Sequence, residues 1–220
     1  YFVMEYVPGV PIHTWCRKRE LSVRARLELF LLVLDAMQHA HQKAVLHRDL
    51  STSNVLVVEH DGKPQPKIID FGIAKSLAAP LTEALALTFH GTLMGTPEFM
   101  SPEQASGLAD IDTRTDIYAL GVQLYELLCD ELPIPSRLLR NHAIADIGNL
   151  VRDFRPTLPS QLAPPSRQAL LRGDLDWIVM KALQKDRAER YASVSEFAAD
   201  LSRHLQHEPV TAGPPSTWYR

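Results

Sequence analysis

The chain has 220 residues, 45% hydrophobic and 22% charged, which is enough apolar mass for one sizeable core under an ordinary water-exposed surface. A net charge of −3 and a pI near 6.3 exclude the basic footprint of a nucleic-acid or anionic-membrane binder. Cys16 and Cys129 lie far apart without C-x-x-C spacing, so they read as free thiols of a reducing compartment, and a cytoplasmic location is expected.

No apolar run approaches a membrane span; residues 29–34 are flanked by Glu28 and Asp35. No basic leader is expected, and the opening Tyr1 suggests a piece of a longer chain. Residues 1–7 are a strand candidate ending at Pro8-Gly9. Residues 11–19 suit a short helix. Residues 21–43 suit a long one, with Ser22 as N-cap and Leu27, Leu31 and Leu34 at helical spacing. Its end carries His39 and His41, with His47 just beyond. A zinc site is a poor reading, because residues two apart on a helix do not share a face.

Residues 47–54 read His-Arg-Asp-Leu-Ser-Thr-Ser-Asn. Two β-branched apolar runs follow, at residues 55–58 and 66–69. Between them stands His60-Asp61-Gly62-Lys63, in which Asp-Gly supplies the positive φ a tight hairpin needs. The hairpin carries Asn54 at its start and Asp70 at its end, with Asp49 on the loop before it. These three hard oxygen donors suit Mg²⁺ held together with substrate phosphates.

Residues 95–103 read Gly-Thr-Pro-Glu-Phe-Met-Ser-Pro-Glu. A helix is expected from Asp116, capped by Asp112 or Thr113. Ile117, Leu120, Leu124, Leu127 and Leu128 give it apolar residues around most of its circumference, as in a buried helix. Leu132-Pro133-Ile134-Pro135 is expected to end it. Residues 156–165 hold four of the 16 prolines and read as a surface connection without regular structure. Residues 173–184 and 195–207 suit amphipathic helices, with Trp177 in the core.

H-R-D-x-x-x-x-N followed by Asp70-Phe71-Gly72 is the protein-kinase pattern, and residues 95–103 resemble G-T-P-x-Y-M-A-P-E. The chain resembles the eukaryotic-type (Hanks-type) Ser/Thr protein kinases of bacteria over nearly its whole length, but only their large, C-terminal lobe. The resemblance implies an α+β, mainly α-helical fold with a small β-hairpin at the catalytic cleft. Hinge and large lobe would occupy residues 1–208, with a Pro-containing tail or linker at 209–220. It implies transfer of the ATP γ-phosphate, with Mg²⁺, to Ser or Thr of a protein substrate.

On that resemblance Asp49 orients the acceptor hydroxyl and takes its proton, and Asn54 and Asp70 hold Mg²⁺. Thr96 bonds Asp49 and helps seat the substrate. Met4 is the gatekeeper, Glu5 and Val7 offer backbone groups to adenine, and Leu56 lies in the adenine column. Gln123 falls beneath that column, where an aliphatic residue is usual. His47 packs with Phe71 while Asp116 holds its backbone. Arg48 pairs with a phosphate on the activation segment, where Thr82, Thr88 and Thr92 are candidate autophosphorylation sites. Glu103 and Arg190 form a buried ion pair of structural importance.

The chain also departs from the family. It shows no G-x-G-x-x-G loop and no Lys in a V-A-I-K context, so these residues alone are not expected to phosphorylate efficiently. Ser51 stands where Ser/Thr kinases carry Lys; losing that charge is expected to cost on the order of 10²–10³ in rate, by analogy with a lost oxyanion donor. Thr52 replaces the usual Pro and is expected to loosen the loop. Two alternatives follow: a pseudokinase or truncated lobe acting as a scaffold, and a small-molecule phosphotransferase of the aminoglycoside kind. The second lacks the residue 95–103 stretch and the Asp116 helix pattern.

Overall fold

Asp61 and Gly62 both take positive φ, 51° and 72°, and turn strand β2 (Val55–His60) back into β3 (Lys63–Ile68). This is the tight hairpin that Asp-Gly favours. Its register runs from Val55 opposite Ile68 to His60 opposite Lys63. A two-residue strand β1 (Val10–Pro11) adds to the other side of β2, giving an antiparallel sheet in the order β1-β2-β3. These are features of a computed structural model of the chain, which describes residues 5–71, 96–108, 110–142 and 144–213.

β3 is the sheet edge and reads Lys-Pro-Gln-Pro-Lys-Ile, with prolines at its second and fourth positions. The strand expected at residues 1–7 is not formed at residues 5–7, and residues 1–4 lie outside the described residues. At Pro8-Gly9 the chain turns, with the Gly9 N–H donating to Val7 O at 2.8 Å, and pairing with β2 begins only afterwards.

The rest of the described chain is mostly helical. Helix α1 (Ile12–Lys18) leads to α2 (Val23–Gln42), which starts where the Ser22 hydroxyl accepts from the Ala25 N–H. A short α3 (Pro102–Ala105) precedes the central helix α4 (Arg114–Cys129). Nearly every residue of α4 is buried, as expected for a helix apolar around its circumference. Its Gly121 admits a close approach: a Cβ there would sit 2.8 Å from the Ala182 Cβ on α9 (Asp174–Ala182).

The prolines at 133 and 135 are not what stops α4. It ends at Asp130, which takes a left-handed φ of 59° and is held by Arg26 (2.9 Å) and Arg167. At the other end Asp112 does the capping, since its carboxylate accepts the Arg114 N–H at 2.8 Å while the Thr113 side chain makes no cap bond.

Helices α5 (Ser136–Arg140) and α6 (Ile144–Asp153) follow, and α6 packs Ile147 and Val151 with Ile134 and Leu139 in a small second core. Residues 156–165 are not an irregular surface connection. They contain α7 (Pro159–Leu162) and the start of α8 (Pro165–Leu171), each with Pro in its first turn, where the missing N–H costs nothing. Asp176 of α9 accepts from the Ser160 N–H (2.8 Å) and hydroxyl (2.7 Å), which draws that stretch into the body. Trp177 is only partly buried, at the margin of the main core.

Helix α10 (Val194–Leu205) lies against α2, where Phe197 meets Phe30 edge-on at 6.1 Å and stacks on Tyr191 at 5.0 Å. Asp200 of α10 is fully buried and accepts from the Tyr191 hydroxyl, Thr211 N and Oγ1, and Ala212 N, so residues 211–212 are tied to the body. Among the described residues no helix is long and apolar enough to cross a membrane.

Candidate active site

The hairpin base gathers the candidate oxygen donors. Ile69 N donates to Asn54 O at 2.9 Å and so extends the β2-β3 ladder by one pair. The Asn54 side-chain NH₂ donates to Asp49 O at 2.8 Å, which fixes that amide with its oxygen as the remaining acceptor. Asn54 N in turn donates to Ser51 O at 3.0 Å, closing the short 3-10 turn Thr52–Asn54. Asp70 follows Ile69 directly, is exposed and takes a left-handed φ of 55°. Non-glycine residues rarely adopt that region, and Arg48 does so as well, at 63°.

His47 stands behind this base. Its ring lies 4.7 Å from the Phe71 ring, and its Nε2–H donates to Ile69 O at 3.0 Å. That places the proton on Nε2 and turns Nδ1 toward the Asp49 N–H, 3.4 Å away. Burial lowers the pKa of His47 below its usual value, outweighing the opposing pull of Ile69 O and nearby carboxylates, so the ring is neutral at pH 7.

Asp116, in the first turn of α4, holds the loop backbone. It accepts from His47 N and Arg48 N, both at 2.9 Å, and from His41 Nε2 at 2.8 Å. The His47 pairing with Phe71 and the Asp116 grip expected from the resemblance are both present. His41 was not foreseen as a partner; it lies 75 residues from Asp116 in sequence.

Gln104 is a second residue that sequence reasoning missed. Its Nε2 donates to Arg48 O at 2.8 Å, while its Oε1 and N close a capping box with Ser101. Ser101, where the family pattern has Ala, is therefore the N-cap of α3. The S-x-x-Q spacing was the available signal.

Ser51 is buried at 2% exposure, and its hydroxyl lies 2.6 Å from the Ser53 hydroxyl. Thr52 is also buried and donates to Glu126 Oε2 on α4 at 2.8 Å, so it is tethered rather than loosened. Burial pushes the Glu126 carboxyl above its usual range, with Thr52, His13 and Arg17 pulling the other way. Gln123, one helical turn before Glu126, is fully buried, and neither atom of its amide has a partner among the described residues.

Thr96 and Asp49 line one small crevice together with Leu50, Phe99, Met100 and Gln104. Leu56 sits on β2 opposite Lys67 and Pro11. Glu5 is exposed, with its carboxylate 3.4 Å from Lys67 Nζ, and Val7 is part-buried. Met4, Gly72, Thr82, Thr88, Thr92 and Gly95 lie outside the described residues. An exposed carboxylate at Asp70, at the same hairpin end as an oriented amide oxygen at Asn54, is a donor set that fits Mg²⁺.

The protein kinase domain family matches residues 1–207. The Ser/Thr protein kinase Pkn1 of Myxococcus xanthus is 35% identical over 214 residues, which are 96% of this chain and 29% of that protein. The Ser/Thr protein kinase PknB of Mycobacterium tuberculosis is 32% identical over 220 residues, covering 96% of this chain and 31% of that protein. The chain thus spans less than a third of the length of either relative. The crystal structure of the PknI kinase domain from M. tuberculosis superposes with a TM-score of 0.63 at 26% identity, covering 91% of this chain and 64% of that one.

Proposed function

Because the chain belongs to the protein kinase family, in the eukaryotic-type Ser/Thr group found in bacteria, we propose that it is the catalytic large lobe of an enzyme that transfers the γ-phosphate of ATP to serine or threonine of proteins. The observation that carries this reading is the closed hairpin base. Asn54 bonds Asp49 by its side chain and Ile69 by its backbone, so Asp49, Asn54 and Asp70 share one end of one hairpin.

In this reading Asp49 orients the acceptor hydroxyl and takes its proton. Asn54 and Asp70 hold Mg²⁺, and Thr96 helps seat the acceptor beside Asp49. Held there, the ion would supply neutralisation of charge on the nucleotide phosphates. Glu5 and Val7 present backbone groups to adenine, and Leu56 packs beneath it. Met4 and the autophosphorylation candidates Thr82, Thr88 and Thr92 complete the proposal.

One observation favours a second reading, a scaffold that binds Mg·ATP without turnover. At the position of the usual Lys, the Ser51 hydroxyl is buried against Ser53 and supplies no positive charge. A small-molecule kinase has no comparable support, since both relatives above are named Ser/Thr protein kinases.

The test is phosphate incorporation from Mg·ATP by the complete gene product, read by intact mass beside an Asp70→Asn control. A mass gain that the control abolishes is expected. Mg·ATP binding with no gain in either protein would select the scaffold.

A further inference from the structure

Residues 47–54 are held at two places by the same helix. Asp116 grips His47 and Arg48 at the start of α4, and Glu126 receives the Thr52 hydroxyl ten residues further on, about 15 Å along the axis at 1.5 Å per residue. Asp49 hangs between the two grips, the Ser51 and Ser53 hydroxyls meet across the second, and Asn54 follows two residues after it. Without the second grip, a Thr at the position usually held by Pro would leave the backbone near residue 52 with more conformations to sample.

We propose that Thr52 and Glu126 are a pair of positioning residues that replace the missing proline, fixing Asn54 relative to Asp49 through a side-chain tether to α4. This rests on the kinase reading for its catalytic consequence, though not for its structural one. Three observations carry it. Thr52 is 5% exposed, so its hydroxyl is not exchanging partners with bulk water. The bond is 2.8 Å to a carboxylate oxygen, a charge-assisted geometry when Glu126 is ionised. The turn that Thr52 opens ends at Asn54, whose side chain reaches back to Asp49, so displacement at residue 52 is passed directly to both groups. Glu126 lines a small cavity with His13 and Arg17 of α1, Arg26 of α2 and Asp130, and Thr52 is the hydrogen-bond partner seen for its carboxylate among the described residues.

The experiment uses the complete gene product with Thr52→Val, Thr52→Ser, Glu126→Leu, Glu126→Gln and the Thr52→Val/Glu126→Leu double variant. Amide hydrogen exchange of residues 50–54 is followed together with phosphate transfer to a fixed protein acceptor. Thr52→Val keeps the volume and removes the donor; it is expected to speed exchange of residues 50–54 by about tenfold, as the loss of one charge-assisted bond allows. Glu126→Leu should match it, and the double variant should be no faster than either. Thr52→Ser keeps the donor and should exchange as the parent does, while Glu126→Gln keeps an acceptor without its charge and should fall between the parent and Thr52→Val. In the transfer assay Thr52→Val should lower kcat more than it raises KM for ATP, a split that general destabilisation would not give.

Parental exchange in Thr52→Val, or additive effects in the double variant, would overturn the tether. If the parent transfers no phosphate, the exchange arm still decides the tether, while the kinase reading fails separately.

Discussion

Glu103 and Arg190, 87 residues apart in sequence, face each other as a parallel fork: Oε1 to Nη1 at 2.6 Å and Oε2 to Nη2 at 2.7 Å. Thr115 Oγ1 adds a third bond to Glu103 Oε1, and Gln184 O, Lys185 O and Arg114 O accept the remaining guanidinium protons. The pair is buried and fully bonded, which is the condition under which a buried ion pair holds its place. Arg190→Met strands the Glu103 carboxylate and should cost about 3–5 kcal/mol, measured by urea unfolding. Replacing both residues with apolar ones of similar volume should cost clearly less than that single change.

Stability should fall with acid. Burial alone would raise the Glu103 pKa, but Arg190 more than offsets it and holds it below the usual value; Asp200 is held down in the same way by Thr211 and Ala212. A lowered carboxylate pKa contributes stability that is present above about pH 4, the unfolded range, and is lost as pH falls through the folded value. The lowered His47 pKa has the same sign and begins to act below about pH 6.5. These groups should lower the thermal midpoint from pH 7 to pH 3, while the raised Glu126 carboxyl, which adds stability as it takes up its proton, works against them. The gap between parent and Arg190→Met should narrow at the acid end.

Asp116→Ala should loosen the loop that carries Asp49. It orphans the His47 and Arg48 N–H groups, each at a cost of about 1–3 kcal/mol when buried without a partner. Hydrogen exchange at residues 47 and 48 should rise strongly, with a lower Tm. Unchanged exchange there would show that the grip is not what orders the loop.

Gln123→Leu should stabilise the protein by about 1–3 kcal/mol, because it removes a buried amide with no partner among the described residues. The midpoint of urea unfolding should rise with an unchanged slope. A lower midpoint would reveal that the amide is satisfied by a buried water.

Ser51→Lys in the complete gene product should raise phosphate transfer by on the order of 10²–10³, if the missing charge is what limits it. Mg·ATP affinity should change far less. No gain in transfer would place the limit elsewhere.

The local features of this fold were legible in the sequence. Asp61-Gly62 announced the hairpin, Ser22 the start of α2, and the circumferential apolar pattern the burial of α4, since each rests on neighbouring residues. The family resemblance supplied the Glu103–Arg190 pair and the Asp116 grip on His47. What remained hidden were side-chain bonds to residues far away in the chain: Gln104 with the Arg48 carbonyl, Thr52 with Glu126, His41 with Asp116. None has a spacing rule, because the distance that brings them together is set by how α4 and the hairpin pack. The proline-rich stretch at 156–165 misled for the same reason. Its prolines suit helix starts as well as loops, and only the reach of Asp176 to Ser160 decides between them.

The prolines of β3 have a consequence for self-association. An edge strand offers a row of unpaired N–H groups on which another chain can build, and Pro64 and Pro66 blank two positions of that row in a six-residue strand. Prolines two apart fall on the same side of a pleated strand, so both are accommodated with their nitrogens turned away from β2 while the ladder to β2 stays intact. Lys63 and Lys67 add charge along the same edge. The hairpin that organises the site is thereby guarded against edge-to-edge stacking, the route by which an exposed strand would seed aggregates.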